Sequence, residues 1–442
     1  MIIHNVSLLD PFGPTPWIPE GWIRLEGDRI VDVSSGPPPA NREEKLDGRQ
    51  ALALPGLINA HTHLYSSLAR GMPPPPEPCP DFPTILGRIW WILDRALDAE
   101  LVDISFRVGL LDSLRHGVTT VIDHHASPAA ISGSLDTLVS RAQDYGVAVS
   151  AAFEISDRYG PDGFAAAVAE NRHCFDTQTS TPWVAPLMGL HAGFTLSEAS
   201  LTTIRTALQP GEGIHIHCAE DPSDGAVART SGDSSPLQRL LRHGLLNENS
   251  LVVHGVHLPE ADASRLDASG AWLVHCPSSN ANNRVGQTPL PLLERDRVGL
   301  GTDGMHPSLL REARIGTLVR SAGLPGGAAN LDYLRLLLDG NSRLATHLFG
   351  RPVGHLAPGY RGDVVLYDYD PPTPLGVTNW AAHLLYGPGR PRDVIAGGRV
   401  RIRNGAWVQD RLASVWAQSR PAARRLWQRM EDLRTVNPSP ST

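Results

Sequence analysis

Residues 55–68 read Pro-Gly-Leu-Ile-Asn-Ala-His-Thr-His-Leu-Tyr-Ser-Ser-Leu, an apolar run that closes on two histidines one residue apart. On an extended chain the side chains of His61 and His63 leave the same side, so both imidazoles can reach one ion. Taken alone the pair is a weak signal. With 18 histidines in 442 residues, about one such pair arises by chance, and a second, His215 and His217, does occur.

Its weight comes from what surrounds it. Counting the run that ends there as 52–59, eight short apolar runs follow one another: 52–59, 118–123, 147–153, 183–190, 213–217, 251–254, 271–275 and 298–302. Helix-like stretches separate them, among them 103–116, 131–145, 197–208, 236–243 and 260–268, several ending on the glycine expected after a helix. Strand-helix alternation of this length predicts an α/β fold, a (β/α)8 TIM-like barrel over 55–354. An open doubly wound sheet would want a glycine-rich phosphate turn after its first strand, and this chain has Ala-His-Thr-His there.

Outside the barrel, alternating segments at 2–9 and 22–33 and again at 363–367 and 394–408, the last with a Gly397-Gly398 turn, read as small antiparallel strands. We expect the N- and C-terminal segments, 1–54 and 355–434, to meet in a small β-sandwich domain with a C-terminal helix. The polar tail 435–442 is expected to be disordered. A proline-rich run, 72–83, follows the first strand and reads either as a stiff surface connector or as a wall or lid over a pocket.

Composition narrows the function. A formal net charge of -7 leaves no basic stripe to neutralise phosphates, so nucleic acid is not an expected partner and a small-molecule substrate is. Cys79, Cys174, Cys218 and Cys276 lack CxxC spacing and read as buried thiols of a reducing compartment. No run of about 18 apolar residues and no leader pattern occurs, which predicts a cytoplasmic protein away from membranes.

The barrel hypothesis places further candidates on one rim. His61 and His63 end the first strand, His217 the fifth and His254 the sixth, while Asp303 follows the eighth; catalytic groups of such barrels gather at the strand carboxyl ends. Three imidazoles and a carboxylate, His61, His63, His217 and Asp303, suit one divalent ion, zinc first and Fe(II) second, with a position left for water. Asp303 would bind the ion, help deprotonate the water, or both; an isolated Asp-Gly turn is its plain alternative. Glu220, three residues after His217, reads as a proton shuttle or as a carboxylate at a helix N-terminus. His254 would exchange a hydrogen bond with the attacking water, and His215, on the same face as His217 but one pleat deeper, reads as a support behind the ligands or as a core residue rather than as a ligand. Trp90, Trp91 or Tyr65 would line a flat pocket, or serve as core anchors. Lys45, which precedes the first strand, is the only lysine, so a lysine bridge between two metals is excluded; one ion follows unless Glu154 substitutes.

The motifs PGLINAHTH, HIHCAE, LVVHG, HCPSSNA and GLGTDG resemble those of the amidohydrolase superfamily, in its cytosine, guanine and methylthioadenosine deaminase and chlorohydrolase group. More narrowly, HTHLYSSLARGM, ILGRIWWILDRAL, TTVIDHHASP and DYDPPTPLGVTNWAAHLLYG are similar to the SsnA branch of aminohydrolases. The resemblance implies the barrel with a terminal β-sandwich and a single zinc or iron at His61, His63, His217 and Asp303. It also implies Glu220 as shuttle, His254 as water or substrate partner, and His191 as a substrate contact. Homodimers are frequent in the group. The run 275–283, HCPSSNANN, departs from the group's HNPxSNM pattern.

The reading that results is hydrolytic deamination, in which water activated by the ion attacks an amine-bearing carbon of a heterocycle and Glu220 moves the proton. Alternatives keep the site and change the bond, to a cyclic amide, an imidate or a chloride, or make the chain a non-catalytic metal-binding barrel. An intact Glu220 argues against the last.

Overall fold

The computed structural model describes residues 1–322, 332–408 and 411–436. Both ends of the chain build one eight-stranded sheet: β1 (Ile2–Leu9), β2 (Trp17–Glu26), β3 (Arg29–Ser35), β4 (Lys45–Pro55), β14 (Val364–Tyr367), β15 (Asp393–Ala396), β16 (Arg399–Arg403) and β17 (Ala406–Trp407). Their order is β17-β16-β15-β14-β4-β1-β2-β3, with β1 and β4 parallel. One face alternates into an apolar cluster that joins Ile3, Leu8, Ile23, Ile30, Val364 and Ile395, so strands distant in the order close over one core. Burial of each such side chain contributes about 2 kcal/mol. Gly397 and Gly398, at φ +57° and +72°, make the turn between β15 and β16.

The chain passes from this sheet into the barrel at Gly56, where a Cβ would lie 2.2 Å from Thr119 Oγ1 and 2.6 Å from Asp363 Cβ. Eight parallel staves follow: β5 (Leu57–Thr62), β6 (Val118–Asp123), β7 (Ala148–Ala151), β8 (Val184–Pro186) continued by β9 (Met188–Ala192), β10 (Ile214–Cys218), β11 (Leu251–His254), β12 (Trp272–His275) and β13 (Val298–Leu300). They form two arcs, β5-β6-β7-β8 and β13-β12-β11-β10-β9. Isolated parallel bridges link the arcs at both seams, Thr62 with Asp303 and Ile155 with Leu190. At the first seam the N–H groups of Thr302 and Asp303 both donate to the His61 carbonyl, at 3.0 and 3.1 Å. The staves are buried along their length, as expected where helices cover the outer face and side chains fill the inner one.

Helices Ala99–Arg115, Ser134–Tyr145, Gly160–Gln178, Glu198–Ala207, Asp262–Ser269 and Leu309–Ala322 lie among the staves. Their ends follow local chemistry: Asp98 and Ser197 accept from the N–H groups of Leu101 and Ser200, and Gly146 and Gly270 close helices in the left-handed conformation. Helix Arg411–Val436 returns to the barrel, where Trp427 donates to the Leu68 carbonyl at 2.9 Å and Arg429 to that of Ala96 at 2.6 Å.

Three boundaries differ from the sequence reading. Residues 52–55 belong to β4, paired with β14, because a strand buried in the sheet and one buried in the barrel share the same unbroken apolarity and only Pro55-Gly56 separates them. The stretch 22–33 contains a hairpin turn at Gly27. Of the tail, Thr435 and Val436 finish the last helix, and 437–442 lie outside the described residues. Among the described residues no helix is long and apolar enough to cross a membrane.

Candidate metal centre and pocket

The staves deliver their terminal residues to one rim. His61 lies within β5 and His63 just past it, His217 is the penultimate residue of β10, His254 ends β11 and Asp303 stands three residues past β13. Both His254 and Asp303 adopt positive φ, +74° and +53°, which turns them inward off their strands at some cost in strain. Gly301 makes the approach of the eighth stave possible, since a Cβ there would meet His61 Cβ at 2.8 Å.

The hydrogen-bond network assigns the tautomers. His63 donates from Nδ1 to the His124 carbonyl at 2.6 Å, and His217 from Nδ1 to the His191 carbonyl at 2.8 Å. The Nε2 lone pairs of His63 and His217 therefore face each other at 3.2 Å, with Asp303 Oδ1 2.9 Å from His63 Nε2. Two lone pairs and a carboxylate so placed repel unless a cation or a proton lies among them. His61 Nδ1 lies 2.9 Å from His215 Nε2; with the proton on His61 Nδ1, its buried, unpartnered Nε2 joins the same centre, 3.5 Å from Asp303 Oδ1. Donor atoms of His61, His217, His254 and Asp303 all lie within 4.8 Å of one another, and His63 enters through its contacts with His217 and Asp303. Imidazole nitrogens with one carboxylate fit zinc or iron.

The electrostatics agree. Burial pushes His61 down to about 3. Burial opposes the charged forms of His63 and Asp303 as well, yet Asp303 holds His63 up to about 9, and His61 together with His63 holds Asp303 well below the usual carboxylate range. A divalent ion takes the place of such a proton.

Glu220 follows β10 in a turn where Ala219 has φ +53°. Burial, reinforced by Asp303, pushes its carboxyl well above the usual range, which favours its protonated form. Asn283 Nδ2 donates to its Oε1 at 3.3 Å, and its Oε2 lies 3.4 Å from the unpartnered His254 Nε2. The helix-capping role belongs to its neighbour: Asp221 accepts from Ser223 N–H at the head of Pro222–Thr230.

The run 277–283 is a short helix, Pro277–Asn283, and it carries contacts that the sequence did not announce. Ser279 Oγ donates to Asp303 Oδ2, Asn280 Oδ1 accepts from His254 Nδ1 at 2.9 Å, and Asn283 holds Glu220. Glu312 fixes the helix in turn, accepting from Ser278 N–H at 2.8 Å and Oγ–H at 2.5 Å. His124 was also missed, although its place after the second stave is a rim position like the others; it is buried, and its Nε2 donates to the His215 carbonyl at 3.1 Å.

Above this centre lies a pocket whose wall includes Phe82, Trp90, Trp91 and His191. Phe82, from the end of the proline-rich run, packs with Leu86 and Val256, so that run does contribute a wall. His191 donates from Nδ1 to Thr195 Oγ1 at 2.9 Å. Arg158 lies with its guanidinium carbon 4.5 Å from the Trp91 ring centre and bonds Asp94 at 3.2 Å and Glu154 at 3.0 Å. Burial pushes Asp94 up to about 7 against the pull of Arg158. Glu154 is committed to Arg158 and to the Tyr159 hydroxyl, at 3.2 Å. Neither Asp94 nor Arg158 stood out in the sequence, where both sit among ordinary helix and loop charges. Of the four thiols, Cys79 is half-buried rather than buried, and all are free.

Comparison with known proteins agrees with this architecture. A 5-methylthioadenosine/S-adenosylhomocysteine deaminase of Desulfitobacterium hafniense (strain Y51) is 29% identical over 421 residues, covering 91% of this chain and 93% of that protein. A 5'-deoxyadenosine deaminase of Methanothrix thermoacetophila is 27% identical over 416 residues, covering 91% and 93%. Among solved structures, a zinc-bound adenosine deaminase of Xanthomonas campestris superposes with a TM-score of 0.81 at 22% identity, covering 97% and 98%. The zinc complex of the atrazine chlorohydrolase TrzN of Arthrobacter aurescens has the same TM-score and identity, covering 96% and 99%; both likenesses concern the fold. The sequence profile of the amidohydrolase family matches residues 52–401, from within β4 through the whole barrel and on into β16, and the chain belongs to that family.

Proposed function

We propose that this protein is an aminohydrolase that releases ammonia from an amino-substituted heterocycle, using one divalent ion, zinc or Fe(II), held by His61, His63, His217 and Asp303. The observation that carries this reading is the opposed Nε2 pair of His63 and His217 at 3.2 Å beside Asp303, with the buried Glu220 carboxyl lining the same pocket. When bound, such an ion supplies Lewis acidity and lets water ionise near neutral pH.

The chain's own residues do the rest. Asp303 accepts a proton from the incoming water as Glu220, held by Asn283, delivers its own to a ring nitrogen. Asp303 then passes the water's proton to the departing amine, and Glu220 takes up the proton of the newly formed hydroxyl as the carbonyl closes, so that both carboxyl groups return to their starting forms. His254, fixed through Nδ1 by Asn280, offers Nε2 as acceptor to the water or the substrate. Trp91 and Phe82 provide apolar faces for a flat ring, and His191 and Asp94 supply polar contacts at its edge, with Arg158 positioning Asp94 from behind.

Residues 55–354 form the catalytic unit in this reading, with 1–54 and 355–434 as its support. The free thiols support a reducing, cytoplasmic setting, and a homodimer is compatible with it. The deaminase names of the sequence relatives make aminopurine nucleosides the first substrates to assay. Ammonia release from one of them by zinc- or Fe(II)-loaded protein is the expected result; chloride release or ring opening without ammonia would replace deamination by its sister chemistries.

A further inference from the structure

A cavity of about 360 Å³ lies away from the metal centre, between helix Leu309–Ala322 and the chain that follows helix Trp380–Tyr386. Arg311 and Arg314, three residues apart and so on one face of their helix, line it together with Arg390 and His116. All three arginines are exposed. None of them makes an ion pair or hydrogen bond among the described residues, and no Asp or Glu lines the cavity.

That is unlike arginines elsewhere in the chain. Arg158 serves Asp94 and Glu154, Arg172 serves Glu212 and Asp176, and Arg239 and Arg242 share Glu198. In a protein of net charge -7, three unneutralised guanidinium groups around one hollow stand against the average. His116 feels one of them: burial first, and then Arg390, holds its pKa below the ordinary value, while its Nδ1 donates to the Asp112 carbonyl at 2.8 Å. Beside the charges runs an apolar ledge of Leu385, Tyr386 and Pro388, in which Tyr386 is 61% exposed. Guanidinium groups pair with phosphate oxygens in bidentate fashion and are less costly to strip of water than ammonium groups. An exposed aromatic ring beside them suits the organic part of the same ligand.

We propose that this cavity binds a phosphorylated small molecule of at least two negative charges, with its phosphates against Arg311, Arg314 and Arg390 and its organic part over Tyr386. The site is independent of the reaction proposed above. Titration calorimetry on the zinc-loaded full-length protein, with inorganic tripolyphosphate and with ATP as probes, tests it. Tripolyphosphate binding should weaken at least about tenfold in the triple variant Arg311→Ser, Arg314→Ser, Arg390→Ser and should fall as salt is raised. Chelation of the metal acts equally on both proteins, so the difference between them reads the cavity. The single variants Arg314→Ser and Arg390→Ser, each expected to weaken binding about threefold, give the same reading should the triple variant fold poorly. ATP should bind more tightly than tripolyphosphate, and Tyr386→Ala should remove that advantage. Binding by the variants within twofold of the parent, or none by the parent, overturns the site; ATP binding no tighter than tripolyphosphate overturns the role given to Tyr386.

Discussion

Replacing Glu220 by Gln separates the proton shuttle from the metal and from the fold. Glutamine has the shape of the protonated acid that burial favours here. Its amide oxygen still accepts from Asn283, and its amide N–H can reach His254 Nε2, the atom now 3.4 Å from Oε2. Stability should therefore stay within about 1 kcal/mol of the parent, and the zinc or iron content should stay near one per chain. What is lost is the proton, worth roughly 10²- to 10⁴-fold in kcat, or about 3–5 kcal/mol of barrier. Glu220→Ala is the contrasting case: it strands Asn283 and His254 in a buried site and should also cost about 1–3 kcal/mol of stability. Ammonia release, elemental analysis and thermal unfolding on the three proteins read these outcomes separately. A fully metallated Glu220→Gln enzyme with more than a tenth of parental kcat would refute the shuttle, and a Gln variant that loses its metal would show that Glu220 is a ligand.

His61→Ala and Asp303→Ala should each drop the metal content well below one per chain, as measured on dialysed protein; full occupancy in either would remove that residue from the ligand set. Trp91→Ala should raise KM about tenfold with a smaller effect on kcat, through loss of the pocket wall and of the Arg158 contact at 4.5 Å, and an unchanged KM would place the substrate elsewhere. Glu312 predicts a pH signature in stability. Burial raises it to about 7 from an ordinary 4.5, so its contribution is fully present below about pH 4.5 and is lost as the pH climbs through 7. Because Glu312→Gln does not titrate, the variant should gain on the parent by up to about 3 kcal/mol between those limits; denaturant unfolding at pH 5 and pH 8 with no change in that difference would contradict the assignment.

The staves were legible because each is short, buried on both faces and followed by a helix, a pattern that 118–123, 251–254 and 298–302 display without ambiguity. The first stave was misplaced at its start because Ala51 to Leu54, buried in the terminal sheet, are as apolar as Leu57 and Ile58 in the barrel. The rim positions of His61, His63, His217, His254 and Asp303 followed from the staves, since a strand's end is a place in space as well as in sequence. Ser279, Asn280 and Asn283 had no such marker. Their roles depend on partners 24, 26 and 63 residues away in the chain, a convergence that arises only once the strands are assembled. Asp94 and Arg158 are hidden for the same reason, since they meet across 64 residues and look like ordinary surface charges until then.

The two kinds of grip on the rim differ in how mutation can reach them. His63 and His217 are oriented by the carbonyl groups of His124 and His191, and every residue type has a carbonyl. No substitution at 124 or 191 can delete those acceptors; only a slip of strand register could. His254, Asp303 and Glu220 are oriented instead by the side chains of Asn280, Ser279 and Asn283, which single substitutions can remove or retune. A lineage of such proteins can therefore vary the 277–283 segment, and with it the acid-base chemistry over the pocket, while the orientation of these two histidines is inherited with the barrel itself.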